Sequence, residues 1–250
     1  MTEQPILFGA PMACATLRDI APKTQTRRGV KWRDLAPGLN LSFSGLAVYS
    51  YVPGTYTLES QSRAGWESRS GPTRCPYGQP GDSLWGRETF FAWGRWETRY
   101  SAAKGRDEWH FVDMTLECGK AYLHGADGPR PQPLGGKRDG GVTPRWWKRP
   151  AIFMPRAASR IHLEVTEVRV ERLQAISEAD CLAEGIAPYT GPLRWVRYLD
   201  ALTGEPIHST ARSAYLALWD AINGAGSAAA NPWVWAVTFR RAVLHAKGGA

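Results

Sequence analysis

The chain has 250 residues, 43% hydrophobic and 22% charged, so it can bury a core without disulfides or metal. Its net charge of +8 favours an anionic partner, nucleic acid first. The cysteines and histidines lack metal-ligand spacing, no apolar run reaches the roughly 18 residues of a membrane helix, and the start is unlike a signal peptide. We therefore expect a cytoplasmic protein with reduced thiols, no bound metal and no cofactor.

Short elements are predicted in the first third of the chain. Residues 5–9 form an apolar strand candidate, and residues 11–20 follow as a helix that Pro22 ends. The basic stretch 23–28 begins a strand, and the alternation over 46–56 predicts a hairpin. A turn at 80–82 then leads into a strand over 83–91.

The middle of the chain has the form of a long insertion, residues 92–150. It contains a Gly/Pro-rich tract at 125–141, which predicts an exposed loop. Beyond it, apolar residues alternate at 161, 163 and 165 and then change phase at 168 and 170. The change of phase predicts a β-bulge, or a tight turn between two strand pieces, at 166–167.

Two helices and a strand complete the predicted elements. Ser177 and Asp180 have the spacing of a capping box, and Gly185 is a suitable helix end. A second helix starts near 209–210, with Tyr215 and Ile222 on its apolar face, and the last strand alternates Trp and apolar residues over 233–239. The order of elements predicts an α+β protein with a mixed or antiparallel sheet, closed into a small barrel.

Basic residues cluster in two segments. Six Lys or Arg lie within 18–33 and seven within 137–160, each beside a single Asp. The second segment interleaves Trp146 and Trp147 with cations, a pattern that suits phosphate contact and base stacking. The alternative is a solvated loop whose Trp side chains cover a core edge. Trp85 and Arg87 share a face of the strand at 83–91 and are candidates to line a pocket.

Three pieces of sequence resemble the ASCH family, a branch of the PUA-like β-barrel superfamily. They are Lys-Thr-Gln-Thr-Arg-Arg at 23–28, Gly-Asp-Ser-Leu-Trp-Gly-Arg-Glu at 81–88, and the strand pair at 160–171 with the helix at 177–185 and the closing strand at 233–240. The chain is most similar to the long ASCH proteins of bacteriophages and prophages. The resemblance implies one PUA-like domain over 1–250, a barrel with flanking helices and an insertion at 92–150.

The resemblance also implies a site. One branch of the family hydrolyses N4-acetylcytidine with a Lys, a Thr and a Glu, and Lys23, Thr26 and Glu184 match these positions. Hydrolysis of an amide needs a nucleophile and a base, here Thr26 and a Lys23 of lowered pKa. Because side chains alternate along a strand, the two share a pocket only if one lies on a loop or bulge, and Pro22 favours a loop at Lys23.

Three hypotheses follow from these observations. The chain is an amidohydrolase acting on an N4-acylated cytosine or related base, a non-catalytic module that binds RNA or modified DNA, or a phage accessory protein that binds a host protein. The residues expected to contact substrate or nucleic acid are Arg27, Arg28, Trp85, Arg87, Trp146, Trp147, Lys148, Arg149 and Arg156.

Overall fold

The backbone is built mainly from β-strands, with three α-helices, in the computed structural model, which describes residues 2–138, 141–192, 194 and 196–242. The strands are β1 (Glu3–Leu7), β2 (Gln25–Gly29), β3 (Leu46–Val52), β4 (Thr55–Ser62), β5 (Gly65–Ser68), β6 (Thr73–Arg74), β7 (Ser83–Arg87), β8 (Phe90–Ser101), β9 (Arg106–Asp113), β10 (Leu123–His124), β11 (Arg145–Arg149), β12 (His162–Arg172), β13 (Pro188–Thr190), β14 (Val196–Tyr198) and β15 (Trp233–Arg241). The helices are α1 (Ala10–Leu17), α2 (Glu178–Ala183) and α3 (Ala211–Asn223). The predicted α+β class is confirmed.

The chain divides into two compact units. Unit 1 draws on the segments Met1–Pro5, Ala15–Leu84 and His162–Ala250, and unit 2 on Ile6–Cys14 and Trp85–Ile161. The predicted insertion at 92–150 lies wholly within the sequence of unit 2. Part of it forms a four-stranded sheet in which β8 pairs with β9, β10 and β11, so this segment has regular structure of its own.

The largest sheet has five strands in the order β1-β7-β12-β15-β2. The strand β15 is antiparallel to both β12 and β2, which agrees with the predicted mixed or antiparallel sheet. In the described residues the path ends at β1 and β2, which are not hydrogen-bonded to each other. The expected closed barrel is therefore not observed, because the two outer strands remain edges.

One face of this sheet in unit 1 is polar. Residues opposite each other on paired strands share a face, and Gln25 lies opposite Thr238, while Arg27 and Arg169 both lie opposite Ala236. The Gln25 amide donates to the Thr238 hydroxyl at 3.2 Å. This row of polar groups needs partners from the elements packed over it, and α2 and α3 supply them.

The other face of the same strands is apolar. Trp235 lies opposite both Arg28 and Val170, and its ring meets the Tyr56 ring at a centroid distance of 5.2 Å. Tyr56 belongs to β4, which forms the predicted hairpin with β3. A cluster of side chains fills the space on this side, namely Trp32, Leu46 and Leu58 with Val30, Leu39, Val48, Tyr56, Val170 and Trp233. The sheet therefore separates a polar layer from an apolar core.

The change of phase in β12 is a β-bulge, and Ser177 forms its half of the capping box predicted for α2. The register of β12 against β15 shifts between Val165 and Glu167, which is the predicted position. Ser177 accepts a hydrogen bond from the Asp180 backbone N–H at 3.0 Å and begins α2. Thr210 caps α3 in the same way, although Ile222, predicted on the buried face, is 57% exposed because it lies in the last turn.

Two predicted elements are shorter than the pattern indicated. The helix expected over 11–20 ends at Leu17, because Ala21 adopts a positive φ of 48° and the chain turns there. The strand expected over 83–91 is two strands, β7 and β8. It breaks at Glu88, which is buried and accepts hydrogen bonds from the Arg160 Nε and Nη2 at 2.8 and 3.0 Å.

Candidate functional site

Lys23 lies on the loop between α1 and β2, as the sequence required for a shared pocket. Its backbone N–H donates to the Ala15 carbonyl at 2.9 Å, and the Thr24 N–H donates to the Ala183 carbonyl at 2.8 Å. These two bonds tie the loop to the ends of α1 and α2. The loop therefore delivers the Lys23 side chain to the C-terminus of α2, where a cation is stabilised by the helix dipole.

Lys23 and Glu184 form a buried ion pair. The Lys23 ammonium donates to the Glu184 carboxylate and, at 2.8 Å, to the Glu184 backbone carbonyl. The residues are only 1% and 3% exposed. Burial lowers the pKa of Lys23, and the Glu184 carboxylate opposes that change. The pair therefore holds the loop before β2 against the C-terminus of α2.

Arg27 joins the same cluster from the polar face of the sheet. Its guanidinium donates to Gln25 at 2.6 Å, to Glu171 at 2.8 Å and to Asp180 at 3.0 Å, and it lies 3.4 Å from Glu184. Burial disfavours its charge, but the carboxylates of Glu184 and Glu171 outweigh burial and raise the pKa of Arg27. Arg27 is thus surrounded by carboxylates and 2% exposed, which is not the environment of a phosphate-binding arginine.

Thr26 faces away from this cluster. It is flanked by Gln25 and Arg27, whose side chains both bond on the polar face, and it lies opposite Val237 on β15. Because side chains alternate along a strand, Thr26 points to the apolar face. The structure therefore brings together two of the three predicted catalytic residues, Lys23 and Glu184, and separates the third.

Tyr215 on α3 brings a hydroxyl to the cluster of Lys23, Arg27 and Glu184. Its oxygen lies 3.5 Å from the Glu184 carboxylate. Burial, followed by the Glu184 charge, raises the pKa of Tyr215 well above its ordinary value. The sequence placed Tyr215 on an apolar helix face, and only the packing of α3 over the sheet reveals its polar contact.

A cavity of about 870 Å³ opens on the apolar side of unit 1, and we call it the unit 1 cavity. Three cations line it, Lys31, Arg33 and Arg74, together with the rings of Tyr77 and Trp235. Its described lining contains no Asp or Glu. The volume is within the range of small-molecule sites, about 300–1,000 Å³.

Local hydrogen bonds hold the walls of the unit 1 cavity. The Arg33 backbone N–H donates to the Thr73 hydroxyl at 3.2 Å, and the Arg74 Nε donates to the Thr55 hydroxyl at 3.3 Å. Burial raises the pKa of Tyr77, and the charge of Arg28 opposes it, so Arg28 acts on the same region. The sequence indicated Arg28, Lys31 and Arg33 as part of a basic segment.

Arg74 and Tyr77 were missed by sequence reasoning. They lie in the stretch 33–79, where Gly, Pro and Ser hide any periodic pattern. A basic and an aromatic residue close to Pro76 form the one local pattern that points to them, and that pattern is too short to be specific.

The predicted contact residues of β7 belong to a cation–π group in unit 2. The Arg87 guanidinium lies 4.5 Å from the Trp85 ring centroid, and that of Arg156 lies 5.9 Å from it. Arg87 also donates to the Ile152 carbonyl at 3.3 Å. Trp85 is 7% exposed, so its ring is covered and offers little area for a base.

The tryptophans of β11 are also largely covered. Trp146 and Trp147 are 9% and 6% exposed, Trp146 packs edge-on against Trp93, and the Trp147 indole N–H donates to the Gly94 carbonyl at 3.0 Å. They cover a core edge, as in the alternative weighed from sequence. Lys148 and Arg149 nevertheless line a second pocket, of about 820 Å³, which we call the unit 2 pocket.

Comparison of the chain with protein-family models, curated proteins and solved structures found no match. Within the described residues, no group of three or more His, Cys, Asp or Glu side chains is placed to hold a metal ion. No described helix combines the length and the apolar character needed to cross a membrane. The site is therefore interpreted from its own geometry.

Proposed function

We propose that this protein binds a nucleotide, free or within a nucleic acid, in the unit 1 cavity. The observation that carries the proposal is the combination of Lys31, Arg33 and Arg74 with aromatic walls and no carboxylate in the described lining. Such a site attracts a phosphate and accepts a flat apolar ring. The net charge of +8 adds long-range attraction for a polyanion.

Tyr77 provides most of the aromatic surface that a ligand in this cavity can contact. Trp235 lines the cavity but is only 1% exposed, whereas Tyr77 is partly exposed. A base would therefore stack on Tyr77 with Trp235 as a rigid support beneath. Arg33 and Arg74, both exposed, are the residues to receive the phosphate, because a guanidinium bonds phosphate oxygens through two parallel N–H groups.

We also propose, as an assignment of class, that the chain is a divergent PUA-like protein of the ASCH type, and that it acts in the cytoplasm. The support is the Lys-Thr-Gln-Thr-Arg-Arg segment entering a strand that pairs with the last strand, beside a bulged β12 followed by α2. The four cysteines are free thiols, as expected in a reducing compartment.

Binding is favoured here over amide hydrolysis. Hydrolysis of N4-acetylcytidine by the residues of the resemblance needs the Thr26 hydroxyl beside Lys23. Thr26 faces the other side of β2, and the Lys23 ammonium is engaged by two oxygens of Glu184. The unit 1 cavity needs neither residue in order to hold a base.

Calorimetric titration tests the binding proposal. Ribo- and deoxyribonucleoside 5′-monophosphates are titrated at low salt into the full chain and into Arg33→Gln and Arg74→Gln. We expect each substitution to weaken binding about tenfold, because each removes one charge-assisted hydrogen bond. Arg63→Gln is the control, an exposed arginine of unit 1 outside the cavity lining. Absence of binding by every monophosphate, or equal effects of Arg63→Gln and Arg74→Gln, would overturn the proposal.

A further inference from the structure

The unit 2 pocket combines cations with an unusual density of aromatic rings. Residues that line it include Trp96, Trp109, Phe111, Arg138 and Arg149. All of these residues belong to unit 2. What this pocket binds can therefore be inferred without reference to the unit 1 cavity.

Arg149 is packed among three aromatic side chains. Its guanidinium carbon lies 4.8 Å from the Trp96 centroid, 4.5 Å from Phe111 and 4.9 Å from Phe153. Burial, and then the charge of Arg138, lowers the pKa of Arg149. The Asp113 carboxylate opposes both effects. The guanidinium is thus partly stripped of water, which strengthens any bond it makes to an anion.

Arg138 approaches the same indole. Its guanidinium carbon lies 4.2 Å from the Trp96 centroid, so two positive groups share one ring. Their mutual repulsion is a cost that a negatively charged group between them would remove. Lys148 precedes Arg149 on β11 and is exposed, and because side chains alternate along a strand, it points to the opposite face from Arg149.

We infer that the unit 2 pocket is a binding site for single-stranded nucleic acid, with a phosphate held between Arg138 and Arg149 and a base stacked on Trp109. Trp109 is 39% exposed, so it has ring area free for stacking, unlike Trp96 and Trp147. A guanidinium laid on an indole is itself a platform for a base. Within a duplex the bases are paired and stacked on one another, so a single strand is the form that offers both a phosphate and a free base face.

Single-stranded nucleic acid fits these groups better than an acidic peptide does. Carboxylates would pair with the cations, but they would leave the flat surface of Trp109 without a matching ring. Nucleic acid presents one base for each phosphate, and base–aromatic stacking is insensitive to sequence. The pocket is therefore expected to bind strands of differing sequence with similar affinity.

Fluorescence anisotropy with a labelled oligo(dT) of about 12 nucleotides, within the range of known single-strand site sizes, tests the inference on the full chain. We expect Trp109→Ala and Arg138→Gln each to weaken binding fivefold or more. The slope of log affinity against log salt should fall by about 0.7 in Arg138→Gln, because one phosphate contact is lost. Gly136→Phe should also weaken binding, since it adds bulk at the pocket wall, where a Cβ meets no atom within 4 Å.

The matched control is Arg106→Gln, which removes the same charge from unit 2 at a 70% exposed side chain outside the pocket lining. The titrations are repeated in an Arg33→Gln/Arg74→Gln background, so that loss of the unit 1 cavity is separated from loss of the unit 2 pocket. Equal losses in Arg106→Gln and Arg138→Gln would overturn the inference. So would full competition by poly-glutamate of the same charge, which would identify an acidic protein surface as the ligand.

Discussion

The Lys23 ammonium bonds both the side chain and the backbone carbonyl of Glu184, the C-cap residue of α2. One lysine thus neutralises a buried carboxylate and supplies a donor to a carbonyl that the helix leaves unpaired. Both roles require a protonated Lys23 at a site that is almost fully buried. The pair therefore fixes α2 and the loop before β2 in a single arrangement.

Removing this lysine should destabilise the fold. In Lys23→Met the remaining partners of the Glu184 carboxylate among the described residues are Arg27 at 3.4 Å and the Tyr215 hydroxyl at 3.5 Å. We expect a loss of about 3 kcal/mol in unfolding free energy, the lower part of the range for breaking a buried pair. Urea unfolding followed by circular dichroism measures it.

The double variant Lys23→Met/Glu184→Gln should lose less than the sum of the two single variants, because no buried charge is then left without its partner. Lys104→Met is the control, since Lys104 is 58% exposed in its pair with Glu108, and it should leave stability nearly unchanged. Strict additivity of the single changes would contradict a coupled pair.

Acid should weaken the cluster through Asp180. Burial opposes ionisation of Asp180, but the charge of Arg27 outweighs it and lowers the pKa below 3.8. A carboxyl with a lowered pKa contributes stability above the unfolded value, and this contribution is lost as pH falls through the folded value. Asp180→Asn should therefore be less stable than the wild type at pH 7.

The difference between Asp180→Asn and the wild type should shrink as the pH falls below about 4, where Asp180 becomes protonated in the unfolded chain. Arg169, whose guanidinium lies 3.5 Å from Asp180, faces the same carboxylate and contributes in the same direction. Urea unfolding at several pH values between 3 and 7 (roughly, the window set by the carboxyl pKa) measures the difference. A constant difference across this window would exclude the linkage.

N4-acetylcytidine should survive incubation with the purified protein. The Thr26 hydroxyl is turned from Lys23, and the Lys23 ammonium is already bonded. Chromatography of the nucleoside and its deoxy form, with Lys23→Ala alongside, measures turnover. Hydrolysis by the wild type that disappears in Lys23→Ala would reverse the preference for binding over catalysis.

Gly185 should not tolerate a side chain. It follows the C-cap of α2 with a φ of 98°, and an added Cβ would lie 2.9 Å from the Ala15 Cβ and 3.3 Å from the Lys23 Cβ. Gly224 is the C-cap of α3 and also has a positive φ, of 103°, but a Cβ there meets no atom within 4 Å. Both Ala variants bear backbone strain, of about 1–3 kcal/mol, because L side chains rarely adopt a φ near 100°.

Only Gly185→Ala adds a clash to that strain, so thermal unfolding should show a larger loss for Gly185→Ala than for Gly224→Ala. The clash pushes on Lys23 itself, which links this glycine to the ion pair. Equal losses in the two variants would mean that the loop before β2 moves away from the added methyl group with no loss of stability.

The sequence predicted what depends on local pattern. The bulge follows from a change of phase in apolar alternation around Val165, and the helix starts follow from the hydroxyls of Ser177 and Thr210. These features are decided by neighbours in the chain, so composition and spacing are sufficient to find them. The loop position of Lys23 was predicted for the same reason, from Pro22.

What the sequence did not predict depends on distant contacts. Arg27 looked like a phosphate ligand because Arg28 and Lys31 follow it, but its carboxylate partners come from β12 and α2, more than a hundred residues away. Arg74 and Tyr77 join the unit 1 cavity only once β6 pairs with β4. Periodicity in the sequence does not predict such contacts, because the partners are far apart along the chain.

The two faces of β2 make stability and ligand choice separable. Residues 25 and 27 point into the ion cluster, while residue 28 lies on the face of Trp235. A library that randomises positions 28, 33, 74 and 77 and retains 23, 25, 27 and 184 would therefore yield mostly folded proteins with altered ligand preference. In β2, a strand of five residues, the residues that stabilise the fold thus differ from the residue that lies on the ligand side. Selection for a new ligand can therefore leave the stabilising residues unchanged.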